Sequence, residues 1–134
     1  MKTLIYDIIA TAGMVDFAGS KVLKPLGLTP MTFNILNVLE DGPLSQREIG
    51  DKVIVAASSI TFQVHQLQKK GLIQRRRADA RTWRVSLTPE GESLRARADT
   101  FMDKFIAKLP IPANQAAQAS KVLKAIHQAI PSLV

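Results

Sequence analysis

The stretch LSQREIGDKVIVAASSITFQVHQLQKKGLIQRRRADARTWRVSLTPEG, residues 44–91, decides the fold. It opens on Ser45-Gln46-Arg47-Glu48, an S-x-x-E capping box. There a hydroxyl and a carboxylate each satisfy a backbone N–H left over at a helix start. The spacing predicts a short helix through Ile49 to Val53. After a brief break, a second helix runs from about Ala57 to Lys70, with Ile60, Val64 and Leu67 inward and Gly71 as its C-terminal cap. Residues 72–77 and 82–87 alternate as two strands around the turn Ala78-Asp79-Ala80-Arg81. Trp83, Val85 and Leu87 share one face of the second strand, and Thr82, Arg84 and Ser86 the other. Thr88-Pro89 then starts a new helix, with threonine as N-cap and proline where its missing N–H costs nothing.

A pair of short helices followed by a hairpin is the winged helix-turn-helix arrangement, in which the first helix braces the second. Its charge is unusual. Lys69, Lys70, Arg75, Arg76, Arg77, Arg81 and Arg84 stand against Asp79 alone, and nearly all of the net charge of +7 falls in this window. Like charges crowded on a hairpin repel unless a partner neutralises them, so the segment asks for a polyanion. With Ile60, Val64 and Leu67 inward, Ser58, Phe62, His65 and Lys69 point outward, flanked by Ser59, Thr61 and Gln66. Short hydroxyl and amide groups suit base edges in a major groove. Ser58 and Ser59 also suit a plain helix cap, and His65 an ordinary surface. Phe62 has three readings: a thymine-methyl contact, a piece of core, or part of an effector pocket. Lys69, Lys70, Arg75, Arg76, Arg77 and Arg84 are candidates for phosphate neutralisation. Arg81, at the hairpin tip, suits a narrow and negative minor groove.

Outward from this segment the chain reads as helices. Residues 3–22 repeat apolar positions at three and four, and Pro25 and Gly27 end that run. Thr29-Pro30 starts a second helix, with Phe33, Leu36 and Leu39 as its stripe. The helix opened by Thr88-Pro89 carries Leu94, Ala98, Phe101, Phe105 and Leu109 in register and is expected to reach about Leu109, before Pro110 and Pro112. A last helix spans about 113–130. The expected fold is mostly α, about six helices plus a β-hairpin wing. Residues 1–27 and 89–134 are expected to form a dimerisation region around a winged unit at 28–88. These outer helices hold more apolar positions than the winged unit can cover, so either a second chain covers them or they cap the core of one monomer. A two-fold dimer would repeat the reading helix at about one DNA turn, roughly 34 Å.

The 134 residues amount to about one domain. There are no cysteines and two histidines, His65 and His127, which leaves no thiolate or zinc site. No nucleophile stands beside a plausible base and no glycine loop cradles phosphate, so neither an enzyme nor a cofactor is expected. No apolar run approaches a membrane span, and the expected location is cytoplasmic.

The run from Leu28 to Gly91 resembles the MarR family of bacterial regulators. LTPMTFNILNVL resembles the family's second helix. The pattern of Leu67, Gly71, Leu72, Ile73 and Arg75 matches the close of its helix-turn-helix. Asp79, Arg81, Leu87, Thr88 and Gly91 match its D-x-R wing and the LT-x-x-G that follows. The resemblance implies a two-fold homodimer on a pseudo-palindromic operator in double-stranded DNA, commonly a repressor released by a small anionic or phenolic effector. It implies that Asp79 braces the wing arginine and that Arg81 enters the minor groove. Phe17, Met31, Phe33 and Phe62 are the candidate effector-pocket walls. The chain departs from the pattern at Ala80, where a second arginine is common, at Ile54, where a glycine often makes the turn, and at Phe62, where arginine is frequent. Without cysteine it has no thiol switch. A different class also fits the charge pattern: a winged-helix interaction module binding an acidic protein.

Overall fold

A computed structural model of the chain describes residues 1–53 and 57–134. Ile54, expected in the inter-helix turn, lies outside the described residues. Among those residues are six α-helices and one two-stranded antiparallel sheet. The helices are α1 (Lys2–Leu23), α2 (Pro30–Val38), α3 (Gln46–Val53), α4 (Ala57–Lys69), α5 (Pro89–Ile106) and α6 (Ala113–Ala129), and the strands β1 (Ile73–Arg77) and β2 (Trp83–Leu87) lie between α4 and α5. The chain forms two compact units, Met1–Lys104 and Phe105–Val134.

Local chemistry sets the element ends. At α2 the Thr29 hydroxyl accepts from the Thr32 N–H at 3.2 Å, and the Thr32 hydroxyl accepts from the Thr29 N–H at 2.8 Å. This is a capping box built from two threonines, with Pro30 in the first turn. At α3 the Ser45 hydroxyl accepts from the Glu48 N–H at 3.1 Å and the Glu48 carboxylate from the Ser45 N–H at 3.3 Å. Gly71 ends α4 at φ 74°, a left-handed conformation that glycine adopts without steric cost. Its N–H donates to the Gln68 carbonyl and that of Leu72 to the Leu67 carbonyl, the paired bonds of a Schellman motif.

The core of the first unit lies under the winged segment. Ile35 and Leu36 of α2, Ile49 of α3, Ile60, Val64 and Leu67 of α4, and Ile73 and Val85 of the hairpin are fully buried. In α3 only Ile49 is buried, worth about 1.5–3 kcal/mol. Val53, half-buried, packs against the same core at the end of the helix, and a backbone tether fixes its start. Leu44, just before α3, pairs with Val85 as an antiparallel bridge, with N···O distances of 3.0 and 2.7 Å. The α3 entry is thereby stitched to the wing.

Helix α5 stops at Ile106 rather than reaching Leu109. Lys108 and Leu109 donate to the carbonyls of Phe105 and Ile106, bonds of three residues' span that tighten and end a helix. Pro110 disfavours helical backbone at Leu109, and Leu109 is exposed.

At the start of α5 the Thr88 N–H donates to the Leu72 carbonyl at 3.1 Å. Its hydroxyl donates to the Gly71 carbonyl at 2.6 Å and accepts from the Gly91 N–H at 3.0 Å. The first turn of α5 therefore lies directly on the end of α4, and a Cβ on Gly91 would overlap the Leu72 carbonyl oxygen. Alanine is the better helix former, but backbone cannot yield here as a side chain can. Gly91→Ala is expected to destabilise the protein by about 1–3 kcal/mol despite its helix propensity. A thermal or urea melt measures this, and an unchanged or raised midpoint contradicts the packing described.

Candidate nucleic-acid interface

The outer face of α4 carries Ser58, Thr61, Phe62, His65 and Lys69, all exposed, with Ser59 and Gln66 half-buried at its edges. A concavity of about 380 Å³ runs along this face. Its lining includes Ser58, Thr61, Phe62 and His65 of α4, Gln46 of α3 and Arg75 of β1. Gln46 donates from its amide to the Thr61 hydroxyl at 3.2 Å, so α3 touches this face of α4 directly. Phe62 is 59% exposed, which removes the core reading and leaves it in this groove. Ser59 donates to the Met31 sulfur at 3.7 Å, tying the start of α4 to α2.

The hairpin register sorts the wing arginines. Arg75 pairs with Val85 and Arg77 with Trp83, so these four share a face; Gln74, Arg76, Arg84 and Ser86 take the other. The Arg75 and Arg77 guanidiniums lie 5.2 and 5.0 Å from the Trp83 ring centroid. The negative face of the indole attracts both cations, which offsets part of their mutual repulsion. Arg76 stands directly opposite Arg84, a like-charge pair that costs stability. Arg84 is neutralised by Glu48 at 3.5 Å, the same carboxylate that caps α3. The Ser45 hydrogen bonds, then Arg84, hold the Glu48 carboxyl below the usual carboxylate range. Among the described residues Arg76, Arg81 and Lys69 of α4 have neither an ion-pair nor a ring partner, which leaves them available to an outside anion. Lys70 turns back to the Gly27 carbonyl at 3.4 Å.

Asp79 accepts from the N–H groups of Arg81 and Thr82 at 2.8 and 2.9 Å. These backbone bonds, chiefly that of Arg81, lower its carboxyl pKa. Asp79 thus shapes the turn that presents Arg81 through the main chain, not through the guanidinium.

The four candidate pocket walls do not converge. Phe33 lines a separate cavity of about 340 Å³ between α1, α2 and Met102 of α5. Phe17 is exposed beneath the Lys21 ammonium, 4.8 Å from its ring centroid, while Met31 meets Ser59 and Phe62 lies in the α4 groove. The wall residues of this cavity on α1, Val15 and Leu23 among them, were invisible to sequence reasoning. They belong to the same apolar repeat as the rest of that helix.

Sequence reasoning also missed Arg95. It is 7% exposed, grips Glu92 through two nitrogens at 3.0 and 2.8 Å, and reaches Glu40 at 3.3 Å and Asn37 at 3.4 Å. It locks α5 to the end of α2. Its place among Glu92, Ser93, Arg97 and Asp99 gave no sign of burial.

The MarR family profile matches residues 26–81. YwoH of Bacillus subtilis, an uncharacterized HTH-type transcriptional regulator, is 32% identical over 110 residues, 81% of this chain and 80% of its own length. The chain belongs to the MarR family. Solved structures carry the likeness through the flanking helices. A MarR-family regulator from Rhodococcus sp. RHA1 matches with a TM-score of 0.87 at 25% identity, over 93% of this chain and 92% of its own. CouR from Rhodococcus jostii RHA1, bound to p-coumaroyl-CoA, matches with a TM-score of 0.85 at 26% identity, over 92% and 90%. CouR on a 23-mer DNA duplex shares the fold at 24% identity, with a TM-score of 0.81 over 92% of each chain. The protein is a transcriptional regulator of the MarR family, built on a winged helix fold.

The carboxylates of Glu48, Asp79 and Glu92 all have lowered pKa values, Glu92 chiefly through its hydrogen bonds to Arg95. A carboxylate lowered in the folded state contributes stability above its unfolded value, and that contribution is lost as pH falls through the folded one. The melting temperature of this MarR-family chain is expected to drop as pH is lowered below the ordinary glutamate value of 4.5. Glu92→Gln should start lower at neutral pH and lose less on acidification. Thermal melts across the acid range test this, and an identical pH profile for the variant contradicts the Arg95 linkage.

Proposed function

We propose that this MarR-family regulator represses transcription in the cytoplasm by seating a homodimer on a pseudo-palindromic operator, and that a small molecule releases it. The observation that carries the reading is the groove where the polar face of α4 meets Arg75 of the wing. A helix face with Ser58, Ser59, Thr61, His65 and Gln66 presents short donors and acceptors to base edges, and Phe62 offers an apolar contact for a thymine methyl. Lys69, Arg75, Arg76 and Arg77 neutralise phosphates, Arg84 aligns the wing through Glu48, and Arg81 is presented by the Asp79 turn to a minor groove. CouR, which shares the fold, is bound to a 23-mer DNA duplex, and this supports duplex DNA as the partner.

Residues 28–88 form the DNA-binding part, and 1–27 with 89–134 supply the dimer surface. Both compact units leave apolar side chains uncovered: Ile5, Ile9 and Phe17 on α1, and Val122, Leu123 and Ile130 at α6 and just after it. A second copy covers them. The effector enters the cavity beside Phe33 and binds best to a domain arrangement that does not fit DNA, which shifts the population away from the operator. CouR, which shares the fold, is bound to p-coumaroyl-CoA, and this supports a small-molecule effector as such.

Selection from a pool of random duplexes should enrich a palindrome. If none is enriched while an acidic protein binds, the wing is an interaction module instead. On the selected site Arg81→Ala should weaken binding by about 1–3 kcal/mol with the fold intact. Arg76→Ala should reduce the salt slope of binding by about one, and Arg84→Ala by less, because Arg84 is already paired. Gel-shift titrations at several salt concentrations measure all three. Leu123→Asp should convert the dimer to monomer or unfold it, and an unchanged dimer by light scattering refutes the assigned surface.

A further inference from the structure

The cavity beside Phe33 has a chemistry that the family resemblance did not imply. Its volume of about 340 Å³ suits a small molecule of one or two rings. Val15, Leu23, Pro30, Phe33 and Met102 make its walls largely apolar. Asp16 supplies the one charged side chain among its lining residues, and no lysine, arginine or histidine lines it. Among the described residues the Asp16 carboxylate has neither an ion-pair nor a hydrogen-bond partner.

The sign of that charge discriminates between ligands. An anion entering the cavity leaves water, meets no cation and faces Asp16. A cation entering by the same route gains a counter-charge from Asp16, which stands exposed at the cavity rim and attracts it as one partner of a surface ion pair. We propose that the cavity takes a ligand with an apolar ring system and a protonated amine, with Asp16 as the residue that selects its charge. This rests on the reading of the cavity as the effector site, and it replaces the anionic or phenolic compound expected from the resemblance with a cation. Asn34, at the same lining, offers both a donor and an acceptor and favours neither sign.

Three probes with one apolar body separate the possibilities: naphthylmethylamine, naphthylmethanol and naphthoic acid. Calorimetric titration of the full chain at neutral pH should give the amine an affinity at least about tenfold above the acid, with the alcohol between them. Asp16→Asn should erase the preference while leaving the melting temperature near that of the parent. The amine should also release DNA from the parent protein in a gel shift at concentrations that leave Asp16→Asn bound. An acid that matches or exceeds the amine, or a preference that survives in Asp16→Asn, overturns charge selection while the cavity remains an effector site. If none of the probes binds while the chain still holds DNA, the effector reading of this cavity fails, and this inference fails with it.

Discussion

The contact between the end of α4 and the start of α5 governs the geometry of the first unit. The Gly71 and Leu72 carbonyls, freed by the turn that closes α4, are taken up by Thr88 through its hydroxyl and its N–H. The Thr88 hydroxyl in turn accepts from Gly91. One threonine thereby fixes where α4 ends, where the second wing strand ends and how α5 departs. Glycine at position 91 is required because helix backbone and turn backbone touch with no room for a side chain. The run from Leu87 to Gly91 is thus a physical joint, and its spacing follows from one helical turn.

A second economy governs charge. The hairpin gathers like charges at close range, and the protein tempers them by three separate means. Glu48 serves both the α3 cap and Arg84. The Trp83 ring lies near two guanidiniums. The Asp79 carboxylate, held in the turn by backbone N–H groups, sets a negative charge within reach of Arg84. Arg76 and Arg81 are left without an ion-pair partner among the described residues. A wing neutralised throughout would have no field to offer a phosphate chain, and one with no compensation would carry the full repulsion of its arginines into folding.

Most of the fold could be read in the sequence because its local signals agree. The Ser45–Glu48 box, the Thr29-Pro30 start, Gly71 and the strand alternation each set an element end within a residue or two. Charge patterning likewise located the wing. The sequence did not reveal relations between distant positions. Nothing near Arg95 showed that Glu40 and Asn37 would enclose it, because that contact depends on how α5 crosses α2. The four residues expected to line one pocket lie apart for the same reason, and of them only Phe33 lines the cavity against α1. Aromatic content pointed to Phe17 and Phe62, yet those rings face solvent and the α4 groove, while plain aliphatic residues of α1 enclose the space. Leu109 was assigned to α5 by periodicity alone, and the proline that follows it outweighed the period.

Trp83 is the sole tryptophan in the chain, half exposed on the wing between Arg75 and Arg77. Its indole emission therefore originates from one spot and is perturbed by two neighbouring positive charges. Any polyanion that draws those guanidiniums away changes the electric field at the ring and hence its colour and brightness. The protein carries a built-in optical gauge on its most basic surface, readable without an attached dye.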